Sequence, residues 1–257
     1  MLIDTHCHLN DEKLLCEADR IVGDFSNDNL ECAICVGYDL PSSECAVSLA
    51  NKYQNVYSAV GVHPHDADTL DDDVLARLKV LCENKKTVAV GEIGLDYHYD
   101  LSPRDVQRDA FRRQIELANE VKLPLVLHVR EAYEDTCKIL FDMQDYLKNG
   151  VLLHCYSGSS EMVKVFDKLD AYYAFGGAIT FKNAKHNIEA LSTVRKDRLL
   201  LETDCPYMTP VPYRGKINEP KYVSLVAQKA AEVLNIEQVE LEKITTENAK
   251  RLFTRIK

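Results

Sequence analysis

The sequence predicts an α/β protein of the (β/α)8 TIM-barrel type, forming a single domain over residues 1–257, and three observations predict it. Eight short β-type runs alternate with helical patterns from end to end, with no linker, repeat or low-complexity stretch between them. Most of these runs are continuously apolar, as expected of parallel strands buried on both faces. The 257 residues also match the roughly 250 that such barrels use in one domain.

The first run, 1–6, ends at His6, and the second, 31–37, holds Cys32-Ala-Ile-Cys35. That CxxC spacing has no second pair at zinc-ribbon distance, so it reads as strand core. The third run is 56–62, after which Asp71-Asp-Asp73 precedes an apolar-periodic segment and places carboxylates at a helix N-terminus. The fourth, 87–93, contains Val-Gly-Glu-Ile-Gly. A helix follows over 103–122, opened by Pro103, with Val106, Ala110, Leu117 and Val121 on one face. Pro124 stops it and opens the fifth run, 124–129. The last three runs are 150–155, 171–178 and 198–203. An open doubly wound sheet would show a Gly-rich first turn, and neither GxGxxG after strand one nor GxxxxGK[ST] occurs. A nucleotide-driven enzyme is therefore not expected.

Composition narrows the classes further. With 46% hydrophobic and 28% charged residues the chain can bury a large core. Lys plus Arg is 31 against 41 for Asp plus Glu, a net charge of −10, which argues against a broad basic face coating nucleic acid. The cysteines number nine, an odd count, and several sit in apolar runs, so they read as buried free thiols of a reducing compartment. The start carries no basic leader, and no apolar run approaches the ~20 residues that span a bilayer. The expectation is a soluble cytoplasmic protein with no membrane contact and no obligate protein partner.

Six of the eight histidines fall where a predicted strand ends: His6 and His8, His63 and His65, His128, and His154. Glu92 lies late in strand four and Asp204 closes strand eight. In a barrel these carboxyl-terminal ends converge on one rim, where such folds build their sites. His6 and His8, two apart, share one face of a strand and can grip one cation. Carboxylates and imidazoles in apolar runs need partners or a metal, because an unpaired buried charge costs several kcal/mol. His6, His8, Glu92, His128, His154 and Asp204 are too many ligands for one tetrahedral ion and suit two adjacent divalent ions bridged by a carboxylate. This mixed set leaves Zn, Mg, Mn and Co open. Cys7 and Cys155 each neighbour a proposed ligand, and on a strand they would face the opposite way, into the core. His98 and His186 lie in polar surroundings and read as solvated, whereas Lys182 and Arg214 follow late strands, where barrels often hold phosphate.

The residues resemble the TatD-type metal-dependent deoxyribonucleases of the amidohydrolase superfamily. The strings that carry the likeness are Asp4-Thr-His-Cys-His-Leu9, Gly61-Val-His-Pro-His65, Gly91-Glu-Ile-Gly-Leu-Asp-Tyr97, His128-Val-Arg130, His154-Cys-Tyr-Ser-Gly158 and Thr180-Phe-Lys182. They continue with Leu201-Glu-Thr-Asp-Cys-Pro206, Arg214-Gly-Lys216, Asn218-Glu-Pro220 and Asn248-Ala-Lys-Arg-Leu-Phe253. Asn10 stands where the opening motif often has Asp, and Ile217 interrupts a stretch that is often more basic.

The resemblance implies a barrel of the metal-dependent hydrolase type. Glu92 would bridge the ions, with His6, His8 and Asp204 on one and His128 and His154 on the other. The implied activity is a DNA phosphodiesterase, a 3′-5′ exonuclease on short single-stranded or frayed ends. Asp204 would accept the proton of the attacking water. His63, with His65, would bind the phosphate or protonate the leaving oxygen. Lys182, Arg214 and Lys216 would hold the nucleic acid. The same metal chemistry also suits a carboxyl-ester or amide hydrolase, such as an aminoacyl-tRNA deacylase or a lactonase, and a scaffold that binds metal without catalysis is a third reading.

Overall fold

The computed structural model describes residues 1–257. The eight expected strands form as β1 (Leu2–Cys7), β2 (Leu30–Val36), β3 (Val56–Val60), β4 (Thr87–Asp96), β5 (Leu125–Arg130), β6 (Val151–Leu153), β7 (Tyr172–Phe175) and β8 (Leu199–Leu201). They pair in sequence order into one eight-stranded sheet, and every pairing is parallel. This is a (β/α)8 barrel. No helix is long and apolar enough to cross a membrane.

Alternation along each strand sorts side chains into two cores. A cluster of 16 buried residues, among them Ile34, Ala59, Val126, Leu152, Ala174 and Leu200, fills the barrel, and Leu252, Phe253 and Ile256 of the C-terminal segment join it. A larger cluster of 58 packs the helices on the outside. The inward face of β5 that starts with Val126 therefore carries His128 and Arg130 nearer the rim, and Leu152 is followed on its face by His154.

The helix Arg104–Val121 forms as expected, with Pro103 at its N-cap and Ala110 and Leu117 buried. It stops at Lys122, whose left-handed conformation (φ 59°) ends it two residues before Pro124. Its buried face also carries two glutamines. Gln114 bonds both the N–H and the C=O of Val62, at 2.8 and 3.0 Å, and Gln107 does the same for Asp96, at 2.9 and 3.1 Å. These two amides fix the chain just before His63 and at the end of β4. Asp71 caps the helix Asp72–Cys82 by accepting from the Val74 N–H. All nine cysteines are free, and Cys32 and Cys35 are buried in β2.

The last three strands end earlier than expected, so His154 and Asp204 stand in the turns beyond β6 and β8 rather than on the strands. In each case the backbone turns left-handed soon after the strand, at Cys155 (φ 41°) and at Asp204 (φ 55°), and the ladder cannot continue through that conformation. Short β8 has a second consequence. No backbone ladder joins it to β1, and the barrel closes through side chains and the following turn. Thr5 donates to the Leu201 carbonyl at 3.0 Å, and the Asp4 carboxyl takes the Thr203 N–H at 2.9 Å and its hydroxyl at 2.6 Å. The Asp204 N–H then reaches the His6 carbonyl and the His8 N–H the Cys205 carbonyl. Burial pushes Asp4 up to about 8 against the pull of these hydrogen bonds. Asp4→Ala would strand two buried donors of Thr203. It should destabilise the protein by about 3 kcal/mol, read as a lower urea midpoint at unchanged slope. A loss below about 0.5 kcal/mol would show that the seam does not depend on this carboxyl.

Candidate metal centre

The site begins with one carboxylate. Glu92 lies on β4 and is 4% exposed, and β4 can approach β5 here because residue 94 is glycine. A Cβ on Gly94 (φ 138°) would come within 2.0 Å of the His128 carbonyl. Five histidines close around Glu92. His154 Nε2 lies 2.8 Å from Oε1, His128 Nδ1 2.9 Å and His63 Nε2 3.5 Å. His6 Nε2 and His8 Nε2 lie 3.3 and 3.8 Å from Oε2. Asp204 Oδ1 is 3.5 Å from His8 Nε2 and 3.9 Å from His6 Nε2, so it completes the group on the β1 side. All six ligands expected from the sequence meet here.

The far nitrogen of each ring decides what the near one offers. His8 Nδ1 donates to the Val36 carbonyl at 3.0 Å, which leaves a lone pair on Nε2 toward the centre. His128 sits between two carboxylates, with Nε2 3.0 Å from Asp96 Oδ2 and Nδ1 2.9 Å from Glu92 Oε1, so a ring that donates to Asp96 has its Nδ1 available to a cation on the Glu92 side. His154 Nδ1 faces Glu202 at 3.5 Å. His63 is arranged the other way: its Nδ1 accepts the His65 N–H at 3.1 Å, so the hydrogen sits on Nε2 and the ring presents a donor. His65 bonds Asp96 rather than Glu92.

A cation fits this arrangement on its own chemistry. The Nε2 atoms of His6 and His8 point at each other across 3.2 Å, an approach of two ring nitrogens that a cation held between them would satisfy. His6 Nδ1, His154 Nδ1 and Glu202 Oε2 are buried without a hydrogen-bond partner. Burial tends to raise Glu92, yet the surrounding imidazoles hold it well below the usual carboxylate range. His63 is pushed down to about 4, by burial first and by His128 next.

Three groups in this site were given no role in the sequence reading. Asp96 orients both His128 and His65, Glu202 backs His154 and takes the Cys155 N–H, and Asp4 ties the seam beneath His6. Alternation was the available signal, since Glu92 and Asp96 share one face of β4. Cys155 departs from the expectation of core packing. It has left the strand, and its thiol, raised by burial, also feels Asp204, Glu202 and Glu92. Cys7 does pack in the core, donating to the Ile34 carbonyl. Lys182, Arg214 and Lys216 stand exposed on the loops after β7 and β8 and pair with none of the histidine cluster. His98 and His186 are exposed, as expected.

The family described as TatD related DNase matches residues 3–254. The chain belongs to this family. Its relatives include YabD of Bacillus subtilis, an uncharacterized metal-dependent hydrolase, 44% identical over 253 residues and covering 98% of this chain and 99% of that one. YcfH of Escherichia coli K12, described in the same words, is 35% identical and covers 98% of this chain and 95% of its own. Among solved structures, the TatD homolog YJJV of Escherichia coli K12 superposes with a TM-score of 0.92 at 27% identity, over 98% of each chain. The protein is a metal-dependent hydrolase of the TatD family.

Proposed function

We propose that this TatD-family hydrolase is a DNA phosphodiesterase that releases nucleotides from the 3′ ends of single-stranded or frayed DNA, with two divalent ions at the histidine cluster. The observation that carries the reading is the convergence of five histidines on Glu92, with the far nitrogens of His8 and His128 held by the Val36 carbonyl and by Asp96. His6, His8 and Asp204 would hold one ion, His128 and His154 the other, and Glu92 both. Bound there, divalent ions acidify a water and polarise a phosphoryl oxygen. Asp204 would accept the proton of that water. His63 offers its Nε2–H to a phosphate oxygen, since its other nitrogen is engaged by the His65 N–H. His65 sits behind it, edge-on with ring centroids 4.2 Å apart. Arg214, Lys216 and Lys182 flank the rim as anchors for the strand.

The test is a metal-reconstituted assay against a labelled single-stranded oligonucleotide, a duplex and a panel of carboxyl esters in parallel. Mononucleotides should appear from the single strand first. Ester turnover without nucleotide release at any of the four metals would overturn the reading in favour of a carboxyl-ester hydrolase.

The tautomer of His63 makes a separate prediction. His63→Ala should lower turnover by roughly ten- to a hundredfold, the value of a charge-assisted hydrogen bond, while metal content stays near that of the parent. Elemental analysis checks this, and a metal loss equal to that of His128→Ala would make His63 a ligand.

A further inference from the structure

Ten of the twelve arginines are tied to a carboxylate, carbonyl or amide oxygen of the protein. The two that are not, Arg130 and Arg214, both lie at the carboxyl-terminal face of the barrel, and each rests on an aromatic ring. Arg214 is exposed, on the loop after β8, with its guanidinium carbon 3.7 Å from the centroid of Phe181. Arg130 is half-buried and is the last residue of β5, two positions after His128 and on the same inward face. Its guanidinium carbon lies 4.7 Å from the centroid of Tyr99.

The support for Arg130 is built rather than incidental. Its carbonyl takes the Tyr97 N–H at 2.9 Å, and Asp96 takes the N–H groups of His98 and Tyr99, both at 2.9 Å. The carboxylate that orients His128 thus also shapes the turn on which Arg130 stacks. Tyr99 stands edge-on to His65, with centroids 5.4 Å apart. The adjacent acid, Glu131, turns away to bond His98 at 2.7 Å. A planar cation is thus held in position beside the centre with every donor free, although a partly buried guanidinium ordinarily seeks a bidentate acceptor.

We propose that Arg130, stacked on Tyr99, is an anion-binding subsite that takes phosphoryl oxygens of the strand whose phosphate sits at the metal centre. The proposal rests on the phosphodiesterase reading. It names a substrate-binding residue that recognises the charge and the paired non-bridging oxygens of a phosphate, which a neutral ester does not present. The Tyr99 face keeps the guanidinium plane fixed, so that little side-chain freedom is lost on binding.

The experiment uses the metal-loaded protein and reads KM and kcat on a single-stranded oligonucleotide, together with inhibition by inorganic phosphate. Arg130→Ala should raise KM, and the phosphate concentration for half inhibition, by roughly ten- to a hundredfold, with kcat changed much less. Arg130→Lys should recover only part of this, because an ammonium lacks the fork. Tyr99→Ala should shift both readings in the same direction by a smaller factor. Unchanged KM and unchanged phosphate inhibition in folded, metal-loaded Arg130→Ala or Arg130→Lys would overturn the proposal. If the parent cleaves no phosphodiester but hydrolyses an ester that phosphate inhibits, and Arg130→Ala relieves that inhibition, the subsite stands and the nuclease reading falls.

Discussion

Glu92→Ala is expected to abolish turnover and to lower the occupancy of both metal positions together. Glu92 is the one acid whose two oxygens face opposite halves of the cluster, with His154, His128 and His63 around Oε1 and His6 and His8 around Oε2. In the proposed two-ion centre its removal would take a ligand from each ion, and it would leave five imidazoles without their shared carboxylate. Several kcal/mol of charge stabilisation would be lost, which corresponds to about a thousandfold or more in rate. Elemental analysis should fall from about two ions per chain toward none, and the unfolding midpoint in metal-containing buffer should fall with it. Full metal content and an undiminished rate in this variant would remove the bridging role. Glu92→Gln keeps the shape and separates charge from packing, and it should lose activity with a smaller loss of stability.

Asp204→Asn should carry the next largest effect. Asparagine tolerates the left-handed conformation at this position (φ 55°), so the turn and its N–H bond to the His6 carbonyl should survive. The negative charge beside His8 and His6 is lost, and with it the proposed acceptor for the water's proton. A fall in kcat of about 10²- to 10⁴-fold is expected, the range for removing a general base. Occupancy of the ion held with His6 and His8 should weaken more than that of its neighbour. A kcat within threefold of the parent would place the proton acceptor elsewhere, and Glu92 or Glu202 would then be the next carboxylates to replace.

Much of the site was legible before folding because it depends on two local regularities. Continuous apolar runs mark parallel strands, and polar residues at the ends of such runs converge once the strands close into a barrel. His6, His8, Glu92, His128, His154 and Asp204 all follow that rule, and all meet around one carboxylate. Asp96 and Glu202 obey the same alternation, but nothing in a linear pattern distinguishes a residue that orients a ligand from one that is a ligand. That distinction depends on which ring nitrogen meets which oxygen, and those partners come from different strands: Asp96 of β4 with His128 of β5, and Glu202 beyond β8 with His154 beyond β6.

By itself, then, the sequence determined the barrel, the order of its strands and the six candidate ligands that meet at its rim. Where the chain leaves a regular strand, the period of two ends and local pattern no longer predicts direction. For this reason Cys155 stands half-buried in the turn beyond β6 instead of packing in the core. The closure of β8 on β1 through Asp4 and the pairing of Arg130 with Tyr99 belong to the tertiary structure for the same reason. Each is a contact between segments far apart in the chain or turned out of the strand, and only packing brings them within reach.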